Sequence, residues 1–272
     1  MFDPILLTAT IEIGDKVVTF DQSFSITVKC SKFAGKKQNN AQVTIANISE
    51  DLRNKILMES SNFSKNRAKK HVTIMAGRAS IGMETIFFGD IASPVKISQP
   101  PDIILSIESN TLNSSKFKTH ASSKNGSVKL SVLAKEIATE LGLGLKLIAK
   151  DSTVHGFHHV GSQSELISKL AEASSKNVFV DDSILIVREH NQPIGGAVLC
   201  SSDSGMVGIP ELNEHGVIIT MLYNYAYRLG GQIQLKSKLN PTLDGNYHIF
   251  KIDYDLSSKG QNFLVRLECK RI

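Results

Sequence analysis

Apolar and polar residues alternate one for one through most of the first hundred residues and again through the last eighty. That period of two builds half-buried strands and excludes a helical bundle. Residues 9–13, 17–20 and 24–29 are three such runs, the first ended by the turn residues Gly14 and Asp15. A polar loop at 36–40 leads into 41–45, and runs at 72–75, 85–90 and 102–108 bring the count to about seven strands. One helix interrupts them: Ser49 is a natural N-cap for residues 50–59, acidic at the start and apolar at Leu52, Ile56 and Leu57. Seven strands and a helix suffice for a closed barrel or a sandwich.

From Thr111 the composition shifts to a Ser/Lys/Asn linker that runs through Gly126, and the period then changes to that of a helix. Val128, Val132, Leu133, Ile137 and Leu141 share one stripe, with Gly142 where a C-terminal cap is expected. A strand at 145–148, a second helix at 164–174 and strands at 178–180 and 184–187, joined through Asp181, Asp182 and Ser183, make an α-β-α-β-β module. Strands resume at 216–222, 232–235, 246–253 and 262–270. The reading is mainly β with an inserted α+β module, divided at 1–110, 111–190 and 191–272. Two β domains flanking a module and one composite barrel split by it both satisfy this order.

Composition narrows the function. At 41% hydrophobic and 21% charged, the chain has the make-up of a globular protein, and its apolar runs fall far short of the roughly 20 residues that span a bilayer. No basic region precedes Ile5, Leu6 and Leu7, so no secretory signal is expected. Cys30, Cys200 and Cys269 are odd in number and far apart, which argues for buried thiols over disulfides or a zinc ribbon. The net charge is +5, and nine basic residues between Lys32 and Lys70 face only Glu50, Asp51 and Glu59. Such a stretch attracts phosphate or an acidic protein surface, or is simply solvated. It lacks the aromatic interleaving of single-strand nucleic-acid binders.

Few residues point to chemistry. His155, His158 and His159 have spacing for two zinc ligands but no HExxH pattern and no obvious third ligand, and Gly156 favours a loop or strand; no metal is expected. Asp181 and Asp182 read as turn residues. Gly142-Leu143-Gly144 and Gly195-Gly196 lack the remainder of a phosphate loop, and no G-x-S-x-G occurs, so no cofactor and no catalytic residue is assigned. Tyr223, Tyr225 and Tyr227 alternate as if on one strand edge, suiting core packing, a contact surface or a stacking platform.

Three segments together resemble the central hub proteins of contractile-tail phage baseplates, the family of Mu-like phages and phage-derived tail particles. They are residues 40–49 followed by 52–57; residues 161–170 followed by 177–187; and the ordered set 205–211, 216–222, 230–235 and 245–249. The last set carries the most specific match, although Tyr223 to Tyr227 stand where such hubs often have Asn-Pro. The resemblance implies two tail-tube-like β-barrel domains per chain and a homotrimer whose six barrels meet the sixfold tail tube, while its other face meets the threefold spike. The implied protein is a structural component of the virion baseplate, assembled in the host cytoplasm. Its partners are the tube ring, the spike and wedge proteins, with DNA passing through the lumen and no enzyme activity, membrane or small-molecule substrate. The compact length leaves any peptidoglycan-cutting activity to another chain. Two alternatives stand beside it: a secretin-like ring protein of the cell envelope, because the middle module also looks like small ring-building domains, and a metal-dependent enzyme using the three histidines. In the hub reading, Lys32, Lys36 and Lys37 lie on an exposed loop and help dock a partner ring, and the three tyrosines are candidate interface residues.

Overall fold

Alternation in the sequence becomes alternation in burial. Along Ser25–Phe33 the side chains of Ile26, Val28, Cys30 and Lys32 are buried and those between them are not, as a strand with one face on a core requires. The computed structural model describes residues 3–13, 16–60, 70–98, 102–112, 119–260 and 262–272. The proposed turn at Gly14-Asp15, residues 113–118 of the expected linker, and Lys65, Arg67 and Lys69 of the basic stretch lie outside the described residues.

The first region runs β1 (Ile5–Ile13), β2 (Lys16–Phe20), β3 (Ser25–Phe33), β4 (Asn40–Ala46), α1 (Glu50–Ser60), β5 (Lys70–Arg78), β6 (Gly82–Ile97) and β7 (Ile104–Asn110). The middle region runs β8 (His120–Lys129), α2 (Leu130–Leu141), β9 (Gly144–Leu147), β10 (Thr153–Gly161), α3 (Gln163–Ser174), β11 (Asn177–Asp181) and β12 (Ile184–Arg188). The last comprises β13 (Ile194–Cys200), β14 (Met206–Asn213), β15 (Gly216–Leu222), β16 (Gly231–Leu235), β17 (Gly245–Ser257) and β18 (Phe263–Arg271). The fold is mainly β with an inserted α+β module.

The expected linker is corrected here. Residues 120–129 form β8, paired antiparallel with β10 across a bulge in which Asn125 and Gly126 of β8 stand opposite Gly156, both glycines in the left-handed region. The polar Ser/Lys composition hid this ribbon because few of its side chains reach a core. The middle module is therefore β-α-β-β-α-β-β. Helix α3 starts from a capping box in which Ser162 and Glu165 satisfy each other's backbone N–H groups, and α2 ends at Gly142 with φ +69°.

Strands of the two flanking regions lie in one sheet, in the order β14-β15-β18-β17-β3-β4-β7-β6-β5-β1-β2, with β16 beside β17 and β13 beside β16. The join is a ladder between β17 and β3, running from Lys251 opposite Phe33 to Ser257 opposite Thr27. One hydrophobic core fills both regions, and a second lies inside the middle module. The β11–β12 hairpin divides its side chains between them. Val178, Leu185 and Val187 face the module's own core, while the paired Phe179 and Ile186 face the large one. The period of two thus makes one hairpin serve two cores. No helix of the described residues is long and apolar enough to cross a membrane.

Candidate assembly interface

The two flanking regions repeat one strand order. Six strands of the first read β3-β4-β7-β6-β5-β1, and six of the last read β14-β15-β18-β17-β16-β13, each strand standing at the same place in its region's chain order once the β2 hairpin arm is set aside. Four of the five ladders agree in sense, all antiparallel. The fifth differs: β1 runs antiparallel to β5, whereas β13 runs parallel to β16. The middle module separates the two repeats.

Where the repeats meet, the structure corrects the sequence expectation for Lys32. It does not lie on an exposed loop but on β3, 5% exposed, with its ammonium on Asp181 and on Asp182 Oδ2 at 3.0 Å. Parity explains this, because β3 continues to Phe33 along β17 and position 32 shares the inward face of Ile26, Val28 and Cys30. Burial alone would depress the Lys32 ammonium; the Asp181 and Asp182 carboxylates outweigh it and hold it above its ordinary value. Burial pushes the Asp182 carboxyl up against the opposing pull of Lys32. Asp182 sits in the turn after β11 at φ +53°, and its Oδ1 accepts the Phe88 N–H at 3.0 Å. The Asp pair is thus a turn that also clamps the module onto the first repeat.

Lys36 and Lys37 do lie in the loop between β3 and β4. Lys36 is exposed and 3.5 Å from Glu172 of α3, and Lys37 rests over the Phe33 ring. The tyrosines do not form a strand edge, because β15 ends at Leu222 and Asn224 turns the chain, its Oδ1 accepting the Ala226 N–H at 2.9 Å. Tyr223 and Tyr227 are buried; the Tyr223 hydroxyl donates to the Ala76 carbonyl at 3.0 Å, and burial pushes its phenol up to about 12. Only Tyr225 is exposed. All three line a cavity of 450 Å³ between the repeats and the module, with Lys32, Asp181 and Asp182 on its wall.

The histidines lie on β10. His155 and His158 pair with the hydroxyls of Ser127 and Ser123 across the ribbon, each at 2.8 Å. Among the described residues no group of three or more His, Cys, Asp or Glu is placed to hold a metal ion. All three thiols are buried, and burial pushes Cys200 up to about 12 and Cys30 and Cys269 well above their ordinary value, so none is a ready nucleophile.

A family model described as baseplate hub gp41 matches residues 6–269. The chain belongs to that family. Neither a secretin-like ring nor a metal-dependent enzyme is favoured by the match. No curated protein matches the chain. Among solved structures, the fold of this hub is similar to a tail protein from Neisseria meningitidis MC58, with TM-score 0.66 and 10% identity over 97% of this chain and 96% of that one. It is similar also to the 43 kDa tail protein of prophage MuSo2 from Shewanella oneidensis, with TM-score 0.65 and 10% identity over 99% and 97%. The E. coli c3393 protein, a type VI secretion component with structural similarity to the T4 tail proteins gp27 and gp5, matches with TM-score 0.63 and 7% identity over 96% and 76%.

Proposed function

We propose that this hub chain is a structural adaptor of a contractile tail. Three copies close into a ring whose six β units, two barrel-like domains per chain at 1–110 and 191–272, face the sixfold tail tube. The opposite face takes the threefold spike. The observation that supports this most directly is the strand order β3-β4-β7-β6-β5-β1 recurring as β14-β15-β18-β17-β16-β13. A duplicated unit lets a threefold assembly present six comparable edges to a hexamer, which a chain without internal repetition cannot do. The ring belongs in the virion baseplate, assembled in the host cytoplasm, with wedge proteins outside and a lumen that passes DNA. Its work is binding and not catalysis, in keeping with buried, protonated thiols and with histidines that pair to serines.

The three tyrosines, Lys36 and Lys37 enter this reading in different ways. Tyr225 and the two lysines offer exposed contacts, whereas Tyr223 and Tyr227 shape the surface from beneath. Sedimentation equilibrium and native mass spectrometry of the full chain, alone and with its spike partner, test the assembly. A species of three times the 29.7 kDa chain mass is expected. A stable dimer under both conditions would overturn the reading.

A further inference from the structure

The junction between the repeats inside one chain is a template for a junction between chains. In the last repeat, β17 pairs with β16 only as far as His248, and beyond a bulge between Ile249 and Lys251 the same edge takes up β3 of the first repeat. The equivalent strand of the first repeat is β6, which pairs with β5 only as far as Asp90. A bulge follows between Ala92 and Lys96, and among the described residues the rest of β6 pairs only with β7. Among the described residues no strand fills on β6 the edge that β3 fills on β17, and α1 packs against β6.

The strand equivalent to β3 is equally open. Among the described residues β14 pairs only with β15. On β3 every second residue is buried, but on β14 only Pro210 is, and Val207, Ile209 and Leu212 are 43%, 56% and 72% exposed. A free edge carrying three large apolar side chains is an aggregation hazard unless a partner covers it. Both open edges carry a bulge that gives the strand two residues more than its neighbour, at 207–211 against β15 and at 92–96 against β7. Bulges of this kind discourage indiscriminate strand pairing while leaving a matched partner able to bind.

The geometry points to a specific seam: β14 of one copy pairs antiparallel with the 91–97 half of β6 in the next copy, reproducing the β3–β17 ladder between chains. Each chain offers one edge of each kind, so the contact is head-to-tail and closes into a ring if the rotation fits. The inference rests on the hub reading and adds to it the strands that make the ring.

Cysteine cross-linking tests the seam in the full chain, in solution and in isolated tails. Lys96→Cys is combined in turn with Val207→Cys, Ile209→Cys and Glu211→Cys, which samples the register, with each single variant as control. The three native thiols are buried and contribute little background. The seam predicts covalent dimers and trimers, nothing larger, in at least one double variant, and none in the single variants. It also predicts that Ile209→Lys with Leu212→Lys leaves a folded monomer, with at least a tenfold loss of trimer. If the chain is present in tails but no double variant cross-links, or if the lysine variant assembles normally, the seam is wrong and the hub reading stands. A chain missing from tails overturns the hub reading instead. Cross-linked trimers from the purified chain still support the seam in that case.

Discussion

The β3 edge and the β14 edge occupy the same place in two copies of one strand order, and they differ in what covers them. β3 is flanked by β4 and β17. It is tied down by Ser31, whose hydroxyl donates to Asp253 at 2.6 Å, and by Ser258, whose hydroxyl accepts the Ile26 N–H at 2.9 Å. Among the described residues β14 has one strand neighbour, and it carries three exposed apolar side chains. Each repeat is therefore filled from within the chain at one of its edges, β3 in the first and β17 in the second, and among the described residues takes no further strand at the other, β6 in the first and β14 in the second. That division is what a ring-forming subunit requires, because an edge satisfied internally is not available for assembly.

Breaking the internally completed side should cost most. Phe179→Ala removes the ring that the β11–β12 hairpin inserts into the large core, and a loss of about 3–5 kcal/mol is expected in chemical denaturation. Lys32→Met leaves two partly buried carboxylates without their cation and should cost a comparable ~3–5 kcal/mol at neutral pH. The sign of its pH dependence is distinctive. The Asp182 carboxyl, raised in the folded state by burial, takes up a proton more readily there than in the unfolded chain, so the deficit should narrow as pH falls toward 4.

A smaller effect separates the repeats by pH. His248 lies on β17 and is 5% exposed; burial, with help from Arg188 and Lys270, lowers it to about 4. Its folded value is below the unfolded value of about 6.5, so the unfolded state gains the proton first and stability falls between those two pH values. The contribution is about 2–3 kcal/mol. Thermal melts should show a shallower acid slope over that window in His248→Asn than in the natural chain.

The most direct contrast comes from matched edge variants. Ser31→Ala should cost about 1 kcal/mol by removing a hydrogen bond at the internal junction. Ile209→Lys should change the stability of the isolated chain by no more than about 0.5 kcal/mol, because the side chain is already in solvent. Equal losses in both variants would show that β14 is not an open edge. The smallest effect is expected from Lys36→Ser with Lys37→Ser: near-unchanged stability and a modest, salt-sensitive weakening of incorporation into tails, each exposed pair contributing ~0–1 kcal/mol. Incorporation unchanged across a salt series would make that loop a solvated bystander.

Much of this architecture was legible in the chain because it depends on local periodicity. The alternation at 24–29 and 216–222 and the helical stripe from Leu133 to Leu141 each mark an element directly. The β8–β10 ribbon was not legible, since Ser122 to Gly126 carry no apolar pattern and are held by pairing to β10 and by polar contacts of Ser123 with His158 and of Lys124 with Glu136. Lys32 was misplaced because a cluster of lysines reads as a loop, although its even parity with Ile26, Val28 and Cys30 was visible. What no local pattern could supply was the partner of that lysine: Asp181 and Asp182 lie about 150 residues away, and only the tertiary fold brings them under β3. The open edges escape sequence reading for the same reason, since Val207 and Ile209 look like ordinary strand residues until their neighbours are known.

Electron cryo-microscopy of the isolated tail tip, reconstructed without imposed symmetry, tests the central claim most directly. The account predicts three copies of this chain between the last tube ring and the spike. Their six repeats should stand at equal radius around the lumen, β3 paired to β17 within each chain and β14 to β6 between chains. Six copies in the ring, or three copies whose two repeats lie at different radii, would contradict it.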